Sequence, residues 1–344
     1  MKKIISPETL TARQLDDYLH RGWFRVGQTL ITCRALAIKK RLCSTVWTRT
    51  DLRNYALKAS LRRVVRRVEE RFQITVSPVC LDDEHEALYQ RYLTVTDGSR
   101  APTLKSFLFD DEPSRDLFDT WEVTVRDGGT LVAFSFFDLG EESLQSLIGV
   151  YEPTLARYGL GIYTMLREVD FGVETGRRFH YAGYVLIGDP RMDYKLRPGG
   201  ASILDDRSGD WLPWGALAAG HYTPAVERQR AALERARLRL QEAGVPASLR
   251  VYMLFELPVH IAELASCITQ PLFLDCLPPR GDNQKLLILW DIERESYSLV
   301  HALSIQARTK GEDPEDLELF AEIARHPSCA GLDEVIDAIL DACR

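Results

Sequence analysis

The sequence has no run of the roughly 20 apolar residues that a bilayer-spanning helix requires, and its opening MKKIISPETL puts two lysines ahead of no apolar stretch. That excludes a spanning helix and a secretory leader, and predicts a soluble, cytoplasmic protein with no membrane partner. Paired cysteines are missing as well. The seven cysteines, Cys33, Cys43, Cys80, Cys267, Cys276, Cys329 and Cys343, are odd in number, scattered and never spaced C-x-x-C. Such spacing argues against a disulfide framework and a typical zinc site; free thiols are the default, and no metal is assigned. Positive charge is not in excess either, because 43 Lys and Arg against 50 Asp and Glu leave a net charge of -7. Chain-wide affinity for nucleic acid is thereby excluded. What is present is a foldable chain: 344 residues, 45% hydrophobic, enough for two domains or for one large domain with an appendage.

Charge is distributed unevenly. From Arg34 to Arg71 there are twelve Lys and Arg against three acids, Asp51, Glu69 and Glu70. The densest part, Ser60 to Val68, puts Leu61, Val64, Val65, Val68 and Phe72 at helical spacing and Arg62, Arg63, Arg66 and Arg67 on the complementary side. Arginines in the first two turns oppose the helix dipole, so they do not serve helix stability. A solvated face is one reading; a phosphate-binding stripe, which guanidinium forks suit, is the preferred one.

In chain order, residues 7–20 read as a helix, Trp23–Val26 and Thr29–Thr32 as a strand pair, and Ser44–Arg49 as another strand. Residues 82–96 form a second helix, on which His85, flanked by Glu84 and Glu86, reads as a surface residue. Trp121–Arg126 and Thr130–Leu139 are strands joined by Asp127-Gly128-Gly129, a strong hairpin signal, and Leu144–Tyr151 extends them into an antiparallel meander. A loop containing Pro113 precedes them. After residue 222 the composition changes: Thr223 reads as a cap, Pro224 as the first helical position, and the charged helix ends at Gly244. The remainder alternates strand-like runs (250–257, 285–290) with helical ones (259–268, 315–325, 332–343). Three regions are expected: a basic N-terminal region over 1–75, a transferase core over 76–222, and a helical linker with a small α+β appendage over 223–344.

The stretch from Tyr151 to Pro198 organises the rest. A turn, Tyr158-Gly159-Leu160-Gly161, opens an amphipathic helix over 161–176; a strand follows at 179–187, then a loop carrying Asp189-Pro190-Arg191-Met192-Asp193-Tyr194-Lys195. Glycines before a helix let backbone N–H groups approach an anion or a developing oxyanion, although a plain loop gives the same pattern. Meander, glycine turn, helix and strand in this order predict a mixed α/β, acyltransferase-like arrangement.

These segments resemble, in order, those of the arginyl- and leucyl-tRNA-protein transferases. The likeness rests on Gly22-Trp23-Phe24-Arg25-Val26-Gly27, the arginine-rich Ser60–Arg67, Leu88-Tyr89-Gln90-Arg91-Tyr92-Leu93, Leu160-Gly161-Ile162-Tyr163, and Tyr181-Ala182-Gly183-Tyr184 followed by Pro190–Lys195. It covers about residues 15–215. The family's N-terminal cysteine cluster is represented only by Cys33 and Cys43, and the loop after Lys195 is short. The resemblance implies a GNAT-like fold, with a largely antiparallel sheet and flanking helices. It also implies transfer of an amino acid, arginine or leucine, from charged tRNA to the free amine of a protein or peptide, with no cofactor beyond the aminoacyl-tRNA co-substrate.

Within that frame the expected catalytic residues are Tyr184, Asp189 and Gly161, with the Gly161 N–H as oxyanion donor and Asp189 or Asp193 as partner for an amine. Tyr151, Tyr163, Tyr181, Asp193 and Tyr194 are expected to line the aminoacyl and acceptor end. Arg62, Arg63, Arg66, Arg67 and Lys195 are expected to hold tRNA phosphate or ribose. The donor ester is already activated and the acceptor α-amine titrates near 7.7–8.0, so positioning and one proton acceptor suffice. No nucleophilic Ser-His-Asp or Cys-His pairing is evident. An acyl-CoA-dependent N-acyltransferase and a non-catalytic tRNA- or peptide-binding module on the same fold are the alternatives.

Overall fold

The computed structural model describes residues 2–53, 55–96, 100–111, 116–276, 283–308, 316–326 and 331–343. In chain order the elements are β1 (Lys3–Ile5), α1 (Ala12–His20), β2 (Phe24–Val26), β3 (Thr29–Thr32), β4 (Ala35–Ile38), β5 (Arg41–Asp51), α2 (Ala59–Glu69), β6 (Gln73–Pro78), α3 (Asp83–Leu93) and α4 (Leu104–Phe109). There follow β7 (Thr120–Asp127), β8 (Thr130–Leu139), β9 (Ser143–Tyr151), α5 (Leu160–Glu174), β10 (Phe179–Leu186), β11 (Ala201–Leu204), β12 (Trp211–Pro213) and α6 (Gly215–Ala218). The last third holds α7 (Ala225–Glu242), β13 (Ala247–Val251), α8 (Leu257–His260), β14 (Leu272–Cys276), β15 (Gln284–Asp291), β16 (Ser296–Arg308), β17 (Asp316–Arg325) and α9 (Leu332–Cys343).

A nine-stranded sheet runs β12-β11-β5-β10-β9-β8-β7-β6, with β4 attached to β5; a three-stranded sheet is ordered β1-β3-β2 and a five-stranded one β13-β14-β15-β16-β17. The chain is thus mixed α/β with a large, mostly antiparallel sheet and a separate antiparallel sheet. The alternation read in residues 120–151 gives the β7-β8-β9 meander, whose first turn places Gly128 and Gly129 at φ 56° and 91°, where a Cβ would be strained. The N-terminal segments do not stand apart from this sheet. β5 lies between β10 and β11, and β6 forms an edge beside β7.

Arg25 accounts for the early aromatic-Arg-x-Gly motif. Its buried guanidinium donates to Asp138 Oδ1 (2.7 Å), Thr120 Oγ1 (2.8 Å) and the Leu108 carbonyl (2.6 Å), pinning β2 to the meander. Burial raises the Asp138 pKa even though Arg25 and Thr120 favour its charge.

Five expectations are corrected. His85 is not a surface residue: only 2% exposed, it contacts Asp82 Oδ1 at 2.7 Å and Glu122 Oε2 at 3.1 Å rather than Glu84 or Glu86, because Asp82 caps α3 and turns the ring under the helix. Residues 316–325, read as helical, are β17, paired with β16 from Ala307–Leu317 to Val300–Arg325. Their apolar spacing suits either period, and the 13-residue β16 beside them decides. Helix over 259–268 reduces to α8 and one 3-10 turn at Ala262–Leu264, and strand over 250–257 to β13. Pro224 is the N-cap of α7 rather than its first helical residue. Pro113, Cys329 and residue 315 lie outside the described residues.

The C-terminal unit is joined to the large sheet by a shared core. Its cluster of Leu233, Leu240, Phe273, Ile288 and Val335 also contains Ala35, with Ala37 and Leu42 of the β4-β5 hairpin packed against it. Asp206 accepts from Arg34 (2.7 Å) and twice from Arg228 (2.9 Å each), and Ser44 Oγ donates to Glu227 at 2.5 Å at the start of α7. No helix among the described residues is long and apolar enough to cross a membrane.

Candidate active site

The site begins as a fault in the sheet. β9 and β10 are parallel and pair only at Phe179–Ser143, His180–Leu144 and Tyr181–Gln145; beyond that point they diverge. β10 is also irregular against β5 between His180 and Gly183, where Gly183 takes φ 88°. The splayed strands leave a cleft facing backbone that no ladder covers, and α5 crosses one side of it.

The helix comes close because glycine allows it. A Cβ on Gly149 would meet Thr164 Oγ1 at 3.5 Å, and one on Gly161 would meet the Tyr151 ring at 3.1 Å. Gly159, at φ 74°, opens α5 without a side-chain cap, so its first-turn N–H groups carry the uncompensated positive end of the helix. Tyr151 packs edge-on against Tyr92 at 5.2 Å, and the Arg100 guanidinium lies 5.7 Å from the Tyr92 ring.

The other wall is the short 3-10 segment Pro190–Leu196. Lys195 Nζ donates to the Tyr184 carbonyl at 3.0 Å and sits 5.2 Å over the Tyr184 ring. It forms no ion pair among the described residues, and burial with the nearby Arg100 charge pushes its pKa down to about 8. Tyr194 shows 47% of its surface, while burial first, and then the nearby Tyr92 and Glu168 against Arg100, push its hydroxyl up to about 12. Burial also raises the Tyr184 hydroxyl, which lies edge-on to Trp47 at 5.3 Å.

Thus Tyr151 lies beside Gly161 and Lys195 beside Tyr184, and the Arg100 guanidinium, near Tyr92, Tyr194 and Lys195, links the two pairs. Other expected residues lead elsewhere. Tyr163 is buried between α5 and α2 with its hydroxyl on Glu69 Oε1 at 3.2 Å, and burial raises its pKa. Tyr181 packs into the Leu15-Leu19-Phe118 cluster, against Trp211 at 5.7 Å with Arg49 at 3.4 Å from its hydroxyl. Asp189 is engaged with Arg191, whose side-chain hydrogen bonds (2.7–3.0 Å) hold it down to about 2, and it caps the 3-10 segment. Asp193 is exposed.

Sequence reasoning missed the floor of the cleft. Ser146 Oγ donates to Glu168 Oε2 and lies 2.8 Å from His180 Nε2, and the His180 and Glu168 groups are 3.6 Å apart. Glu168 and His180 are each 1% exposed, while Ser146 is only half-buried. Their sequence separations of 22 and 34 residues gave no local signal; α5 lying across β9 and β10 brings them together.

Outside the cleft, α2 packs Leu61, Val64 and Val65 on Ile162, Met165 and Leu166, and buries Val68 beside Leu160 and Tyr163. Each fully buried aliphatic contributes about 1.5–3 kcal/mol, which more than offsets the unfavourable dipole. The opposite face exposes Arg62, Arg63, Arg66 and Arg67. Arg62 donates to the Leu57 carbonyl and Arg67 to that of Tyr158, both at 2.9 Å, and Arg66 approaches Glu70 at 3.6 Å, an exposed pair of little strength. Arg63 has no hydrogen bond or ion pair among the described residues. Just before α2, Lys58 lies against the loop after Lys195, so close that a Cβ on Gly199 would sit 2.6 Å from Lys58 Cε. The basic face therefore reaches the loop after Lys195, and Arg67, whose Nη2 would lie 3.8 Å from a Cβ on Gly159, reaches the start of α5. Cys33 and Cys43 are buried, and burial raises both thiols, Cys33 to about 11. Among the described residues no three His, Cys, Asp or Glu side chains are grouped to hold a metal ion.

The model of the arginine-tRNA-protein transferase C terminus matches residues 84–205. An aspartate/glutamate leucyltransferase of Phenylobacterium zucineum (strain HLK1) is 31% identical over 194 residues, 53% of this chain and 72% of that protein. The Ruegeria pomeroyi protein of the same name is 28% identical over 198 residues, 56% of this chain and 70% of its own length. Among solved structures, the C-terminal domain of a putative lysylphosphatidylglycerol synthetase from Agrobacterium fabrum aligns with half of the chain and 60% of its own at 16% identity and a TM-score of 0.37. A GCN5-related N-acetyltransferase from Kribbella flavida aligns with 40% of the chain and 47% of its own at 16% identity and a TM-score of 0.25. With the family model on the segment that builds the cleft and a relative above 30% identity along most of its length, the chain belongs to the arginyl- and leucyl-tRNA-protein transferases, which transfer an amino acid from tRNA to a protein N-terminus.

Proposed function

We propose that this chain transfers leucine from leucyl-tRNA to proteins whose first residue is aspartate or glutamate, with the β9-β10 cleft as the place of transfer. The carrying observation is the continuity of the exposed α2 arginines, through Lys58, with a cleft that holds Lys195, whose ammonium forms no ion pair among the described residues. Phosphates on the arginine face would fix the acceptor stem, as sequence-independent contacts do, and direct the 3′ end inward. Leucine and the acidic acceptor follow the names of the two leucyltransferase relatives. Lys195 supports the acidic acceptor. A carboxylate arriving beside its desolvated ammonium would restore the charge that burial and Arg100 disfavour. The first-turn N–H groups of α5, with Gly161 among them, would receive the carbonyl oxygen as it gains charge, and Tyr151 and Tyr194 would flank the terminal nucleoside.

The test is transfer of labelled leucine or arginine from the corresponding tRNA to peptides beginning with Asp, Glu, Arg or Ala. Leucine incorporation confined to the Asp and Glu peptides is expected. Arginine incorporation alone would overturn the choice of donor, and transfer from acetyl-CoA but from no aminoacyl-tRNA would replace the reading with an acyl-CoA-dependent one.

A further inference from the structure

The geometry points to Ser146, backed by Glu168 and His180, as the relay that takes the proton from the acceptor amine during transfer; the inference rests on the aminoacyl-transfer reading above. A serine hydroxyl has one proton to donate and two lone pairs to accept with. Here the proton is directed at Glu168 Oε2, and with His180 in the Nε2–H tautomer one lone pair accepts from the imidazole at 2.8 Å. The second lone pair remains for the cleft, which only Ser146 of the three reaches to any extent. The order differs from that of a nucleophilic triad, in which histidine stands between serine and acid. In this cluster serine stands between the two, so the group is arranged to pass a proton rather than to attack.

The step balances without another reactant. The neutral amine adds to the ester carbonyl, forming the C–N bond; the nitrogen, now positive, gives a proton to Ser146 Oγ while Ser146 passes its own to Glu168. Collapse of the tetrahedral adduct breaks the C–O bond to the terminal ribose. The proton returns from Glu168 through Ser146 to the departing ribose oxygen, leaving an amide, a free ribose hydroxyl and the cluster as it began. Ser146 is the group that touches the reacting nitrogen; Glu168 and His180 are positioning residues that act through it. Two carboxylate-lined alternatives for the proton, Asp189 and Asp193, are respectively engaged by Arg191 and exposed on the segment Pro190–Leu196.

The experiment is single-turnover transfer from aminoacyl-tRNA to an Asp-initiated peptide between pH 6 and 9, with wild type, Ser146→Ala, Glu168→Gln and Glu168→Asp. Retention of tRNA on a filter and the melting temperature are measured beside the rates. General-base assistance is worth roughly 100-fold or more, so Ser146→Ala and Glu168→Gln are expected to lose about that much at pH 7 and to close the gap to wild type as pH rises and hydroxide takes the proton from the adduct nitrogen in place of the relay. Glu168→Asp should restore part of the rate, and tRNA retention should be unchanged. A merely structural role would lower the rate by the same factor at every pH, or lower the melting temperature with it; either result overturns the relay. Wild type that transfers amino acid while Ser146→Ala keeps its rate overturns the relay and leaves the transferase reading standing. Wild type that transfers nothing from any aminoacyl-tRNA overturns both.

Discussion

The two parts of this chain carry charge in opposite ways. Residues 225–344 hold 13 Lys and Arg against 20 Asp and Glu, so the whole net charge of -7 resides there, and residues 1–224 balance to zero. Yet the neutral part concentrates its cations on α2 and at the cleft mouth, whereas the acidic part disperses the arginines of α7 among acids. Net charge therefore misdescribes both. A polyanion would meet attraction at one face of the molecule and repulsion over the appended unit, so on the reading proposed above the contrast would orient tRNA as well as bind it.

The largest effect should come from erasing that contrast. Reversing Arg62, Arg63, Arg66 and Arg67 to Glu is expected to weaken tRNA binding by about 100-fold or more near physiological salt and to flatten its salt dependence by roughly 0.7–0.9 per lost contact. Melting should be unchanged, because the four side chains are exposed. Filter binding across a salt series measures it. The same reversal at Arg230, Arg235 and Arg239, exposed on α7, should leave retention intact, and an equal loss there would break the comparison.

Next comes the joint between the parts. Asp206→Ala would leave Arg34 without its carboxylate and Arg228, its side chain 10% exposed, with Glu295 at 3.3 Å in place of two carboxylates. Loss of a shared buried partner costs about 3 kcal/mol, read in denaturant unfolding. A variant as stable as wild type would show that the shared apolar core alone holds the two parts.

The smallest effect is one of sign. Burial tends to lower the pKa of His85, but the Glu122 carboxylate 3.1 Å away and the hydrogen-bonded Asp82 prevail and raise it. Its stabilisation is therefore complete below the unfolded value near 6.5 and is lost as pH rises through the folded one. His260, in the appended unit, is lowered by burial and Lys2 against Glu256, so its neutral form is favoured and stability is lost as pH falls through its folded value. Unfolding of His85→Gln and His260→Gln from pH 5 to 9 should show gaps from wild type that change in opposite directions. Parallel gaps would refute the contrast.

Much of the large sheet was legible because its signals are local. The period-2 run through residues 120–151, the Asp127-Gly128-Gly129 turn, and the apolar stripes of α2 and α5 each specify one element within a window of about fifteen residues. The fork between β9 and β10 was not legible, since three paired residues and a bulge decide it and no composition marks where parallel strands part. The tyrosines show the same limit. Tyr163 turns to Glu69 of α2 and Tyr181 to Trp211, and neither partner is close in sequence. Ser146, Glu168 and His180 meet only in the assembled layers. β17 was misread because its spacing of Leu317, Leu319, Phe320 and Ile323 fits a helix until β16 lies beside it.

The β4-β5 hairpin gives Ala35, Ala37 and Leu42 to a core otherwise made by residues beyond 224. During synthesis that hairpin leaves the ribosome well before its partners exist, at about 5–20 residues per second. Its outer face must wait, wetted and apolar, while β5 is already needed at the centre of the large sheet. Contacts of such long sequence separation slow the search for the native state. Completion of the transferase fold is accordingly tied to the arrival of the last third of the chain, so that premature termination would leave an adhesive fragment rather than a smaller working enzyme.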